Sequence, residues 1–169
     1  MDISKNKMLT HLPKLRRYAR ALTGDEMQGD ALTEKTMDCA SSLANFMPKD
    51  TPMSIWLFSV MHNLTVDFLS EYYDDVNSQS VLPYLKVETL RIDDDSTDPD
   101  VDIKTALAHL TLEQKETLLL ISLEKLNYDE VCNIMAFKRA KFIQCLDSAR
   151  NILCVHLFHD QFEDLQQVQ

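Results

Sequence analysis

Glycine is almost missing from this chain: 2 of 169 residues, with only 5 prolines. So few turn formers argue against a β-rich fold, whose frequent reversals call on glycine and proline, and favour helices with short connections. No apolar run approaches the ~20 residues that cross a bilayer as a helix. The first residues, Met1 to Met8, are polar and lack the apolar stretch of a secretory signal. The expectation is a cytoplasmic protein without membrane insertion. The four cysteines (Cys39, Cys132, Cys145 and Cys154) are widely spaced and form no CxxC pair. In a reducing compartment they read as small buried hydrophobes. There is no glycine-rich phosphate loop, no nucleophile motif and no clustered set of metal ligands. His62 and Asp67 lie five apart, off a common helical face, and make no acid–base pair. An enzyme, a cofactor and a metal are therefore not expected.

Positive charge is also short. The net charge is −10, with residues 1–78 carrying 8 basic and 11 acidic groups, residues 79–104 carrying 3 and 7, and residues 105–169 carrying 6 and 9. A strong non-specific nucleic-acid binder is excluded by that balance, although local basic patches are not. The acidity is densest in the middle, where Asp93, Asp94, Asp95, Asp98, Asp100 and Asp102 sit among serine, threonine and proline. Such a segment repels itself and buries little, so residues 74–101 read as an extended linker. A calcium loop needs a glycine and a terminal glutamate at fixed offsets, and neither is present.

What is there is helical periodicity. A first helix is expected near Pro13, with Leu15, Tyr18, Ala19 and Leu22 on one face and Gly24 as its stop. A second is expected from about Asp25 to Phe46, with Ala31, Leu32, Thr36, Cys39, Ala40 and Leu43 inward. A third, from about Pro52 to Tyr73, carries the apolar stripe Trp56, Leu57, Val60, Met61, Leu64 and Phe68 and should be the core helix of the first half. After the linker, Ile103, Ala106, Leu107 and Leu110 mark a short helix. Thr111-Leu-Glu-Gln114 and Asn127-Tyr-Asp-Glu130 each have the capping-box form. The helix opened by the first places Leu118, Leu119 and Ser122 on one face. The second opens a helix of two turns to Met135. A tight connection over Ala136–Lys138 follows, then a last helix from about Arg139. That layout is a helix-turn-helix. The fold expected is all-α, in two small helical domains (1–75 and 103–169) joined by an acidic linker (76–102). Each core is thin, so docking or a partner is called for.

Three stretches resemble the extracytoplasmic-function (ECF) sigma factors of the sigma-70 family. They are Leu12-Pro-Lys-Leu-Arg-Arg-Tyr-Ala-Arg-Ala-Leu-Thr-Gly-Asp25 continuing through Gly29–Thr36; Met53-Ser-Ile-Trp-Leu-Phe-Ser-Val-Met-His-Asn-Leu-Thr-Val-Asp67; and Ala106-Leu-Ala-His-Leu110 with Gln114, Leu118–Leu120, Leu123, Glu124, Tyr128 and Glu130. The resemblance implies that Asp30, Leu32, Thr33 and Glu34 meet the clamp helices of core RNA polymerase. It implies that the loop Asn45–Met53 and the helix bearing Trp56, Ser59, His62, Asn63 and Asp67 open and read the −10 element of promoter DNA. His62 and Asn63 would read bases, and Trp56 would be core rather than a stacking platform. Arg16, Arg17 and Arg20 would touch phosphates. In the second domain Lys138, Arg139, Lys141 and Arg150 would meet the −35 element. Ile143, Cys145 and Ser148 stand where family members carry basic residues, which weakens that contact.

Two functions follow. One is a working sigma factor that binds core polymerase, directs it to promoters in a stress response and is held by an anti-sigma partner. The other is a sigma mimic, a protein-binding module that captures an anti-sigma factor without reading DNA. The end of the chain, with Cys154, Phe158, Phe162 and Leu165 at helical spacing, is expected to complete its own core. Cys154, His156 and His159 lack a fourth ligand for zinc.

Overall fold

The computed structural model describes the backbone of residues 3–76 and 99–166. The described residues are helical throughout: α1 (Ile3–Leu9), α2 (Leu12–Thr23), α3 (Glu26–Leu43) with a 3-10 turn at Ala44–Phe46, α4 (Met53–Val76), α5 (Pro99–Ala108), α6 (Leu112–Ser122), α7 (Tyr128–Met135) and α8 (Arg139–Gln166). The linker expected over 76–102 falls largely outside the described residues, as does the Asp93–Asp98 part of the acidic run. Its two ends are helical rather than extended. α4 meets no proline or glycine after Tyr73 and continues to Val76, and α5 starts on Pro99, a residue pre-set for a first turn.

Local signals act where they were read. α2 buries Leu15, Tyr18, Ala19 and Leu22 and ends on Gly24 in the left-handed region, whose N–H bonds to the Arg20 carbonyl. Both capping boxes are closed: Thr111 accepts from the Gln114 amide while Gln114 answers its backbone, and Asn127 and Glu130 do the same. Each satisfies two amide donors that a helix start leaves without partners. Replacing Asn127 with alanine should cost about 1 kcal/mol, read by urea titration, because the Glu130 amide in the first turn of a two-turn helix loses its acceptor.

Other faces differ from expectation. α1 was not anticipated; it brings Met8 into the core. In α3, Ala31 and Leu43 are exposed, and the buried face is Gly29, Thr33, Thr36 and Ala40. The cause is a close crossing: a Cβ on Gly29 would lie 2.6 Å from the Cα of Arg20. Only small residues fit there, and the threonines satisfy their hydroxyls on carbonyls one turn back, Thr33 on Gly29 and Thr36 on Leu32. α6 has no single apolar stripe. Residues 116–120 are all buried, and Ser122 is exposed.

That burial follows from how the two halves meet. α2 packs on α6 and α4 on α7, while α8 closes over α5, α6 and α7. The apolar core runs without a break from Leu15, Leu57 and Met61 in the first half to Leu120, Val131 and Phe142 in the second. Trp56 is part of it. Cys145 is buried, Cys39 and Cys132 are half-buried, and Cys154 is exposed on α8.

Candidate functional site

Three polar clusters hold the residues singled out from the sequence. The first lies on α2 and α3. Arg20 grips Asp30 with a two-pronged fork, Nε to Oδ1 at 2.8 Å and Nη2 to Oδ2 at 2.7 Å. Arg16 reaches the same carboxylate at 3.3 Å, and Glu26 takes the remaining nitrogen of Arg20 at 2.6 Å. The fork holds the Asp30 carboxyl below its usual range. Its contribution to stability is present above the ordinary carboxylate pKa and is lost as pH falls through the lowered one. The residues matched to polymerase and to phosphate contact thus neutralise one another here. Glu34 is exposed, Leu32 is half-buried, and Thr33 is fully inward.

The second cluster is the seam between the halves. The Glu116 side chain is 1% exposed, and it accepts from His62 Nδ1 at 2.9 Å and from the Tyr18 hydroxyl at 3.5 Å. Burial, then the neighbouring Glu116 carboxylate, raises the Tyr18 phenol well above its ordinary range, so it stays a donor. Glu124 is covered as completely; Arg17 binds its Oε1 through Nη2 at 2.9 Å and Nε at 3.2 Å, and reaches the Leu123 carbonyl. A buried carboxylate without donors is costly, and both of these find theirs on the opposite half. Around them on α4, Asn63 and Asp67 are exposed, while the Ser59 hydroxyl is bonded to the Ile55 carbonyl. Sequence reasoning missed Tyr18, Glu116 and Glu124 as partners of Arg17 and His62. The available signal was a glutamate at 116 with Leu119 and Leu120 on its own side of the helix.

The third cluster surrounds the start of α8. Lys138, Arg139, Lys141 and Arg150 are exposed. Lys141 binds Glu113 at 2.7 Å and sits over the Phe137 ring, and Arg139 lies 3.6 Å from Asp129. Cys145 and Ser148 face inward, where burial pushes the Cys145 thiol up and Ser148 accepts from Gln114. The outward positions beyond Lys141 are Ile143, Gln144, Asp147 and Arg150. Farther along, His156 stacks on His109 with ring centroids 4.0 Å apart. Among the described residues no three His, Cys, Asp or Glu side chains converge as metal ligands, and no helix is long and apolar enough to cross a membrane.

Residues 8–62 match the family model of the Sigma2 domain of PhyR. Over 166 residues, 96% of this chain and 90% of the relative, the sequence is 25% identical to the ECF RNA polymerase sigma factor EcfG of Rhodopseudomonas palustris. The chain is thus similar in sequence to an ECF protein of the sigma-70 family. Its fold resembles the sigma factor RpoE of Bartonella quintana, solved in complex with the anti-sigma factor NepR, with a TM-score of 0.73 at 20% identity over 90% of this chain and 95% of that one. It also resembles the PhyRSL–NepR complex of Sphingomonas sp. Fr1, with a TM-score of 0.62 at 20% identity over 90% and 87%. The chain thus aligns along nearly its whole length with an ECF sigma factor, and residues 8–62 match a Sigma2 domain.

Proposed function

We propose that this ECF-type protein is a transcription initiation factor that binds core RNA polymerase and directs it to promoters. The observation that carries the reading is the near-end-to-end similarity to an ECF sigma factor, which includes both the α3 surface and the α4 helix. Under this reading the chain is two working domains, 1–75 and 103–169. Asp30, Leu32 and Glu34 serve the polymerase-facing surface of the first, with Thr33 setting its backbone from inside. Ser59, His62, Asn63 and Asp67, with Arg16, Arg17 and Arg20, serve the −10 element. α7 and α8 act as a helix-turn-helix on the −35 element, a role supported by the capped two-turn helix, the left-handed turn at Ala136 and the exposed Lys138, Arg139, Lys141 and Arg150. Lys141 and Arg139 meet phosphate only by exchanging Glu113 and Asp129, so −35 binding is weak and its salt dependence shallow. No catalysis and no membrane insertion belong to this reading, and its place is the cytoplasm.

A second reading, the sigma mimic that captures an anti-sigma factor, is favoured by one observation. Arg17 and His62, which a sigma factor would offer to DNA, are held by the chain's own carboxylates. Both readings share an anti-sigma partner, since RpoE and PhyRSL were each solved with NepR. Reconstituted transcription separates them. With core polymerase and genomic promoter fragments, the first reading expects specific initiation and a stable complex with core. A protein that binds an anti-sigma factor and never core polymerase refutes it.

A further inference from the structure

We propose that α6 and the turn after it are a built-in competitor for nucleic acid: Glu116 and Glu124 hold the two halves closed by occupying the groups the first half would offer to DNA. This inference rests on the initiation-factor reading. The two glutamates are alike in an unusual way. Each side chain is 1% exposed, and each is answered from the other half of the chain. Glu124 takes the forked guanidinium of Arg17, and Glu116 takes the imidazole of His62 and the hydroxyl of Tyr18. A guanidinium giving two nitrogens to one anionic oxygen and an imidazole donating to an anion are contacts these side chains could make to a phosphate and a base edge. The carboxylates stand where nucleic acid would.

The physics of the seam makes it a switch rather than a fixed joint. Closed, the carboxylates are dry and depend on their three donors. Open, water solvates them and the donors alike, so separation leaves no buried charge without a partner. The polar contacts therefore specify the closed arrangement while contributing little net energy to it. Contiguous apolar packing of α2 on α6 and α4 on α7 supplies the rest. A ligand that binds only the open form shifts the balance by its differential affinity, and its apparent affinity falls in proportion to the open fraction.

The test uses the full chain with Glu116→Gln and Glu124→Gln combined. These keep shape and an acceptor oxygen at each site but remove the charge. Amide deuterium exchange should accelerate in residues 57–65 of α4 and in residues 114–124, which span α6 and the turn after it, with α3 protection unchanged. Affinity for a single-stranded DNA oligonucleotide should tighten roughly tenfold, the gain expected when a closed form holding about nine chains in ten is released. Glu113→Gln, which removes an exposed carboxylate paired within the second half, should leave exchange at the seam unchanged. Should the double variant unfold, Arg17→Glu is the second probe: the side chain is half-exposed, it places like charge against Glu124, and it should raise exchange in the same segments. If both variants leave exchange at the seam as in the parent chain, the latch is refuted. If exchange rises and core polymerase binds neither form, the latch stands and the initiation-factor reading falls.

Discussion

Gly29→Ala should lower stability by about 2 kcal/mol, although it replaces a poor helix former with the best one. In an exposed helix interior the change would gain about 1 kcal/mol. Here the new methyl would stand 2.6 Å from both the Cα and the backbone nitrogen of Arg20 and 2.7 Å from its Cγ. Two of those atoms belong to a helix backbone and have no rotamer to retreat into. α2 and α3 must part, and forced repacking of that kind typically costs about 1–3 kcal/mol and occasionally more. The steric cost exceeds the propensity gain. For a chain of this size the loss corresponds to a fall in Tm of roughly 4–8 °C, measurable by calorimetry. The same displacement pulls Asp30 away from the Arg20 fork, so the Asp30 carboxyl should titrate closer to its ordinary range, visible by NMR. Gly24→Ala is the control. Gly24 has a positive φ but nothing within 4 Å of its missing Cβ, so it should cost only the left-handed backbone penalty of about 1–2 kcal/mol and leave the fork intact. If Gly29→Ala is neutral or stabilising, the close crossing of α2 and α3 is wrong.

The same crossing explains what could and could not be read from sequence. α2 announced its inner face because leucine, tyrosine and alanine recur at helical spacing. α3 did not, because glycine and threonine line its buried side and neither counts as apolar in a periodicity. Capping boxes were legible since donor and acceptor are three residues apart, and both closed as read. The seam was not legible. Glu116 pairs with His62 across 54 residues and with Tyr18 across 98, and residues 116–120 of α6 are all buried, so the helix shows no amphipathic stripe. Spacing placed His62 and Arg17 on the right helices, but what they face depends on how two halves dock, and nothing local encodes that. On α8, Cys145 and Ser148 were matched by position to basic residues of the family. The structure turns both inward, so the charge missing from the outer face is missing at Ile143, Gln144 and Asp147.

Phe142→Ala tests that register of α8 and the unity of the core together. Phe142 is fully buried, its ring 5.0 Å from that of Tyr128, and α8 is the helix that closes over α5, α6 and α7. Truncation removes a large apolar side chain and leaves a cavity, which costs about 3–5 kcal/mol. Its neighbour Ile143 is 45% exposed, and Ile143→Ala should stay within about 0.5 kcal/mol of the parent. A rotation of α8 by one residue would exchange the two results, so equal losses, or a larger loss at Ile143, would rule out the outward face assigned above. The shape of the transition carries the second answer. Phe142 belongs to the same apolar cluster as Leu57 and Met61 of the first half. Urea unfolding followed at Trp56 in the first half and by helical circular dichroism should therefore shift as one cooperative transition in the variant. If the Trp56 signal keeps its midpoint while the helical signal splits, the halves unfold independently, and the apolar seam contributes less to closure than its burial implies. A single shifted transition means that loosening α8 also weakens the hold on Arg17 and His62, because α6 is gripped between α8 on one side and α2 on the other.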